Sequence, residues 1–449
     1  MLLLNAHACR RPYDTDLRRV LSLAGGRESR ARLSSWSGLA AQPTPAWPMP
    51  GLAASLGVAR VTVKDESKRS WLGSFKALGA PNALIKLVMR RWPERGWTAA
   101  ELFAGQHESG LRDFVVISAT DGNHGRALAA AAQSVGCRCV IVLHASVAIE
   151  REEAIAAFGA QIVRIAGNYD DSVSEAARLA RTHGWEVVSD TSYEGYEDVP
   201  RDVMQGYGVV AEELLELAPP AAPCPYTHIV LQGGVGGLAA GIVSQFWERY
   251  GEQRPRFVVV EPDQADCLFQ SAVQGRPALA SGSVDSVMAG LACGETSPLA
   301  WRFLQPAVDV FMTVSDTQAE AAMRLLADGR AGDIPVVAGE SGGAGLAALQ
   351  VLMASAQWRL AAALDARSHI LLINTEGATA PRVYAQLVGR THDAVLQAQR
   401  DWQANHEIAS DRLTRRIKEH AAIGALKDGG VCRIALTNAD RHGRDQLVR

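Results

Sequence analysis

From about residue 85 the chain repeats one theme. A short run that is apolar throughout meets a glycine-bearing turn and then an alanine-rich stretch with helical spacing. Phe114-Val115-Val116-Ile117-Ser118 leads through Asp121-Gly122-Asn123 into Arg126–Val135. Cys139-Val140-Ile141-Val142-Leu143 leads to a helix predicted at 149–158, and Gln161-Ile162-Val163-Arg164-Ile165 to one at 171–183. Ile229-Val230-Leu231, Phe257-Val258-Val259-Val260 and Ile370-Leu371-Leu372-Ile373 continue the series. Strands without polar alternation are buried on both faces, which predicts parallel sheets covered by helices. The pattern predicts two doubly wound, three-layer α/β units, centred on 85–190 and 225–380. Ligands of such sheets bind outside the carboxyl ends of the strands, so the turns there are where chemistry is expected.

Residues 1–50 lack this rhythm. Their Pro-rich stretch Gln42-Pro43-Thr44-Pro45-Ala46-Trp47-Pro48 reads as an extended arm. Val58–Val63 reads as a strand and Gly79–Arg91 as a helix with an apolar stripe. The expected division is an arm over 1–57, a smaller α/β domain over 85–205, a larger one from 58–84 and 206–395, and an extension over 396–449.

Composition narrows the function classes. The 449 residues suit two or three domains. A net charge of −3 offers no global field for nucleic acid. No apolar run approaches the roughly 18–20 residues that span a bilayer, and Met1-Leu2-Leu3-Leu4-Asn5 is too short an apolar start for a signal peptide. A cytoplasmic location without membrane partners is the expectation. The seven cysteines form no CxxC pair, so no metal site is expected, and Cys267 and Cys293 are read as reduced core thiols. Lysine usage is more telling. Of the 45 Lys plus Arg, six are Lys: Lys64, Lys68, Lys76, Lys86, Lys418 and Lys427.

Four turns carry candidate chemistry. In Gly73-Ser74-Phe75-Lys76-Ala77-Leu78-Gly79 a lysine opens a helix. Partial burial there lowers an amine's pKa and makes it a nucleophile for an aldehyde; a solvated lysine is the plain alternative. In Ser118-Ala119-Thr120-Asp121-Gly122-Asn123-His124-Gly125 the glycines permit close backbone approach. Asn123 offers an amide to a ring oxygen, and Asp121 and His124 offer proton transfer; a capped turn is the alternative. In Gln232-Gly233-Gly234-Val235-Gly236-Gly237-Leu238-Ala239-Ala240-Gly241, backbone N–H groups at a helix start suit a phosphate. Gly234–Ala239 also fits the dinucleotide fingerprint G-x-G-x-x-A, with Glu261 as its acidic partner. In Ile373-Asn374-Thr375-Glu376-Gly377-Ala378-Thr379 the Thr375 hydroxyl suits a pyridine nitrogen, and leaving that nitrogen unprotonated favours elimination over transamination.

Taken in order from about Val58 to Pro381, the four turns resemble the fold-type II pyridoxal-phosphate enzymes, the tryptophan-synthase β family. Within it, an aspartate before Gly122-Asn123-His124 resembles the diaminopropionate ammonia-lyases, where threonine and serine dehydratases carry Ser-Ser-Gly-Asn-His. Ser74–Gly79, Asp190-Thr191-Ser192-Tyr193-Glu194-Gly195-Tyr196 and Thr375-Glu376-Gly377 resemble the same branch. The resemblance implies pyridoxal 5′-phosphate bound to Lys76 as a Schiff base. It also implies cofactor contacts from Phe75, Asn123, Gly233, Gly234, Val235, Gly236, Gly237, Glu340 and Thr375. The implied reaction converts 2,3-diaminopropionate, D or L, through aminoacrylate to pyruvate and ammonia. Lys76 and Asp121 are then bases on opposite faces of the α-carbon, and Asp121 or Asp190 holds the β-ammonium. Thr120, His124 and Tyr169 support the amino-acid substrate. A homodimer is implied as well. The alternatives are a serine, threonine or hydroxy-amino-acid dehydratase of the same fold, a dinucleotide-dependent oxidoreductase, and a non-catalytic cofactor-binding protein.

The tail departs from the family. Ala409–Leu413 and Gly429–Asp445 resemble the opening segment of amidohydrolases of the N-carbamoyl amino acid hydrolase type, but lack all metal ligands. A fusion remnant, the start of a further domain and an unrelated helical extension stay open, and no amidohydrolase activity is expected.

Overall fold

The computed structural model describes residues 1–422, apart from Asp121, Ser146, Asn168, Pro220 and Ala221. Eleven strands are named in chain order: β1 (Leu2–Leu4), β2 (Ala46–Pro48), β3 (Arg60–Asp65), β4 (Val115–Ala119), β5 (Arg138–Leu143), β6 (Gln161–Arg164), β7 (Glu186–Val187), β8 (His228–Gln232), β9 (Arg256–Pro262), β10 (Val310–Val314) and β11 (His369–Asn374). They form a seven-stranded sheet in the order β1-β10-β9-β8-β11-β3-β2 and a four-stranded sheet in the order β6-β5-β4-β7. The smaller sheet is parallel throughout. The larger is parallel except at its edges, where β1 runs antiparallel to β10 and β2 antiparallel to β3.

The apolar runs behave as their composition requires. Every residue of β4, β8 and β10 is buried. Helices cover them, and one apolar core runs from Leu78 and Leu84 through Leu128 and Ile141 to Ile229, Phe257 and Phe303. Each such side chain contributes about 1.5–3 kcal/mol on full burial.

Topology places the site. In the larger sheet the chain runs from β8 outward to β9 and β10, then returns to insert β11 between β8 and β3. The strand order therefore reverses beside β8, and the turns after β8 and β11 flank the resulting crevice. In the smaller sheet β5 and β6 lie on one side of β4 and β7 on the other, so a second crevice opens after β4 and β7.

Three expectations need correction. Residues 1–57 are not an irregular arm: β1 and β2 edge the larger sheet, and Thr15–Val20, Leu23–Leu33 and Pro50–Leu56 are helices. The helix read from Gly79 starts at Lys76. Strands β7 and β10 were not anticipated, the first because two residues carry no pattern. Residues Met1–His392 form one compact unit, and a second begins at Asp393. Helix His392–Ala422 covers the start of the expected extension, whereas 423–449 lie outside the described residues. Cys267 and Cys293 carry free thiols, as expected.

A buried ion network anchors the segment that leads to Lys76. Lys64 Nζ donates to Glu213 Oε2 at 2.6 Å and to the Thr44 carbonyl at 2.7 Å. Arg69 bridges Glu213 at 2.6 Å and Glu66 at 2.7 Å. All four charged side chains are at most 4% exposed, and their formal charges cancel. Removing one member strands its partners in a low-dielectric interior. Glu213→Ala is expected to lower the unfolding free energy by about 3–5 kcal/mol, read from urea denaturation.

Candidate active site

Lys76 is the first residue of helix Lys76–Arg91. Its placement starts with backbone pairing between the first and fourth chemical turns. Phe75 N donates to Thr375 O at 3.0 Å, Gly377 N donates to Gly73 O at 2.9 Å, and Ser74 bridges Glu376. From there the amine points into a cavity at the mouths of both crevices, whose walls include Phe75, Thr120, Asn123, His124, Tyr169, Asp190, Tyr207, Gly233, Thr375 and Glu376.

The amine is paired. Lys76 Nζ bonds Asp190 Oδ2, with the two side chains 16% and 11% exposed. Asp190 stands just beyond β7. Burial pulls the Lys76 pKa down, but Asp190 and then Tyr207 overcome it and hold the ammonium above the ordinary lysine value. Burial works to raise Asp190, yet Lys76 and then His124 keep its carboxylate well below the usual range. His124 lies behind the pair, with Nδ1 3.8 Å from Asp190 Oδ2 and Nε2 2.8 Å from the Val188 carbonyl. Burial lowers its pKa first, Asp190 opposes, and Lys76 lowers it further, so the ring is held neutral. The Phe75 and Tyr207 rings pack edge to face at 4.8 Å, with the Lys76 amine 5.3 Å and 5.7 Å from their centroids.

The turn after β4 is built by Thr120. Its Oγ1 accepts from Gly122 N at 3.0 Å and Gly125 N at 3.1 Å, so this hydroxyl shapes the turn as well as facing the cavity. Gly125 has no alternative, since a Cβ there would stand 2.3 Å from Thr120 Cγ2. Asn123 Nδ2 donates to Glu376 Oε2, whose other oxygen accepts from Ser341 N at 3.1 Å. Asp121 lies outside the described residues.

The turn after β8 leads into helix Gly237–Tyr250, whose first N–H groups have no carbonyl one turn back. Gly233, Gly234, Val235 and Gly237 line the cavity. Gly236 does not; it turns the chain at φ +100°, where a Cβ would stand 2.9 Å from Leu304 Cδ1. Several outward N–H groups at a helix start form an anion cradle. Glu261, needed by the dinucleotide reading, is committed elsewhere. It is buried and accepts from Leu268 N at 2.9 Å and Phe269 N at 2.7 Å, and burial pushes its pKa up to about 8. A buried, internally bonded carboxyl is not available to a ribose.

Thr375 closes the far end of the cavity. Its Oγ1 is buried and has no hydrogen-bond partner among the described residues, which is costly unless a ligand supplies one. Glu340 lies behind the wall formed by Ser341, 1% exposed. Burial and then the neighbouring Glu376 push its pKa up to about 7. Sequence reasoning missed Tyr207 and Arg151, which also line the cavity. A trace of Tyr207 was present in Gly79, where a Cβ would stand 2.4 Å from the Tyr207 ring. Among the described residues, no His/Cys/Asp/Glu group can hold a metal, and no helix is long and apolar enough to cross a membrane.

Known proteins share this sequence pattern and fold. The sequence profile of the family "Pyridoxal-phosphate dependent enzyme" matches residues 38–376. A diaminopropionate ammonia-lyase of Salmonella typhimurium is 38% identical over 354 residues, covering 77% of this chain and 87% of that protein. The crystal structure of the selenomethionine-labelled holo diaminopropionate ammonia lyase of Escherichia coli superposes with a TM-score of 0.78 at 33% identity, covering 86% of this chain and 96% of that one. A structure of the same E. coli enzyme with an aminoacrylate-PLP azomethine reaction intermediate gives a TM-score of 0.76, with the same identity and coverage.

Because burial and Asp190 pull the amine in opposite directions, Asp190→Asn leaves burial unopposed by its main counter-charge. In cofactor-stripped protein this substitution is expected to bring Lys76 below the ordinary lysine range, so that it acylates readily near neutral pH. The pH dependence of acetic-anhydride labelling at Lys76, located by peptide mass spectrometry, measures this.

Proposed function

Since the chain belongs to the pyridoxal-phosphate dependent enzymes, we propose that it is a diaminopropionate ammonia-lyase, converting 2,3-diaminopropionate to pyruvate and two molecules of ammonia. The observation that carries this reading is the Lys76 amine bonded to the Asp190 carboxylate inside the cavity. The residues present fit the cofactor. Lys76 would hold its aldehyde carbon, the N–H groups of Gly234, Val235 and Gly237 its phosphate, and the Thr375 Oγ1 its ring nitrogen, whereas the Gly233 N–H is committed to the Val260 carbonyl at 2.8 Å and Gly233 only lines the site. Phe75 and Asn123 flank the same space. When bound, the cofactor supplies an aldehyde that condenses with amines and a conjugated ring that takes up the electrons left at the α-carbon.

The chain's own groups do the rest. The substrate amine displaces Lys76, and the freed amine takes the α-proton from one face. Asp121 takes it from the other, which admits both enantiomers. Asp190 pairs with the β-nitrogen as an ammonium, so this nitrogen departs as neutral ammonia with the electrons of the broken C–N bond. His124, held neutral, does not compete with the ammonium for the Asp190 charge. Phe75 and Tyr207 exclude water from the amine. The released enamine takes up water to give pyruvate and the second ammonia. Thr120, which shapes the turn beside Asp121, and Tyr169 support the substrate. Glu340 acts on the site through Glu376. A cytoplasmic homodimer accompanies this reading.

Three tests follow from these roles. The purified protein is expected to release pyruvate from 2,3-diaminopropionate at least about a hundredfold faster, in kcat/KM, than oxo acids from serine or threonine. Lys76→Ala is expected to lose both turnover and the visible absorbance of the bound cofactor. Preference for serine or threonine would overturn the diamino-acid reading. Asp121→Asn is expected to cost one enantiomer of the substrate about a hundredfold or more and the other far less. Equal losses on the D and L forms would exclude a second base at this position.

A further inference from the structure

Two charged residues beside the cavity have no part in moving the α-proton. Arg151 projects from helix Ile149–Ala156, on the side of the smaller sheet, and lines the cavity. Glu340 lies in the turn before helix Ala344–Ala354, on the side of the larger sheet. Their charged groups meet behind the cavity wall, with Arg151 Nη2 3.7 Å from Glu340 Oε1. That oxygen is buried and makes no hydrogen bond among the described residues. On its way the Arg151 stem crosses the Gly122 turn, its Cδ 3.2 Å from where a Cβ on Gly122 would be. The side chain therefore spans from the layer that carries Asn123 and His124 to the layer that carries Ser341 and Glu376.

We propose that Arg151 is a positioning residue of this active site: paired with Glu340, it straps helix Ile149–Ala156 to the far wall of the cavity and sets how firmly the substrate is held. Among the described residues, the charged groups facing Glu340 are Glu376 beyond β11, and Glu150 and Arg151 from the opposing helix. Burial, then Glu376, push the Glu340 carboxyl up to about 7, while Arg151 pulls it down. A raised carboxyl is protonated below that pH and charged above it. The strap therefore exists on the alkaline side and is released as the pH falls through about 7. Glu376 is not part of the strap, because Asn123 and Ser341 already engage its two oxygens.

The first test needs no substrate and stands apart from the elimination reading, on which only the kinetic arm rests. Cys293 lines the same cavity and is 8% exposed. In reduced, cofactor-loaded protein at a single alkaline pH, Arg151→Met and Glu340→Gln are each expected to speed iodoacetamide alkylation of Cys293 about fivefold, and the double variant no more than either. Peptide mass spectrometry reads the rate. In the kinetic arm, Arg151→Met is expected to lower kcat/KM about tenfold, chiefly through KM. The ratio of wild-type to Glu340→Gln kcat/KM is expected to be near unity below about pH 6 and to rise about tenfold above about pH 8, because only the charged carboxylate forms the strap. Titration of the substrate cancels in that ratio. Wild-type alkylation rates in both single variants, multiplicative effects in the double, or a ratio independent of pH would each overturn the proposal.

Discussion

The arrangement depends on one buried ion pair, Lys76 with Asp190. Neither group is stable in this cavity alone, because burial disfavours each charge and only the partner offsets it. The amine comes from a helix fed by β3 of the larger sheet, the carboxylate from the end of β7 in the smaller one. The pair thus joins the two crevices that strand order creates, and makes one reaction chamber from two ligand-binding sheets.

The rest of the packing holds that pair in register. The segment between β3 and Lys76 is tied down by the Lys64, Glu66, Arg69 and Glu213 network, and through Thr44 to the N-terminal segment. The helix that starts at Lys76 lies unusually close to helix Asp198–Tyr207. A Cβ on Gly206 would be 2.2 Å from the Leu78 carbonyl, and one on Gly79 2.4 Å from the Tyr207 ring. Only glycine at both positions permits that approach, which sets Tyr207 against the Lys76 amine. The same contact explains why a glycine belongs three residues after the lysine.

Much of this was legible in the chain. Uniformly apolar runs announced the buried parallel strands, and the glycine-bearing turns after them marked the strand ends where the cavity lies. Lys76 stood out because lysine is so scarce here. What stayed hidden depends on long-range pairing. Strand β7 is too short to carry a pattern, and β1 and β2 acquire their role only as edges of a sheet whose centre is built far along the chain. The bond from the Asn123 amide to Glu376, a contact between residues 253 apart, carries no local signal either. Arg151 carries no motif; its meaning comes from Glu340 behind the far wall of the cavity. The fingerprint at Gly234–Ala239 shows the opposite failing, since a local pattern suggested a dinucleotide that the buried, hydrogen-bonded Glu261 cannot serve.

The ion pair also bears on substrate choice. In the proposed reaction, Asp190 is held ionised by a cation that must leave it whenever the Lys76 nitrogen is engaged with the cofactor. A neutral His124 does not replace that charge, and the partial burial of Asp190 makes an unpaired carboxylate costly. A substrate that brings a second ammonium restores the balance at the moment the lysine gives it up. Serine and threonine bring a hydroxyl, which can hydrogen-bond the carboxylate but cannot neutralise it. On the proposed reading, the residue that stabilises the resting lysine is also the one that selects a diamino acid, so anchoring and selection rest on a single charge.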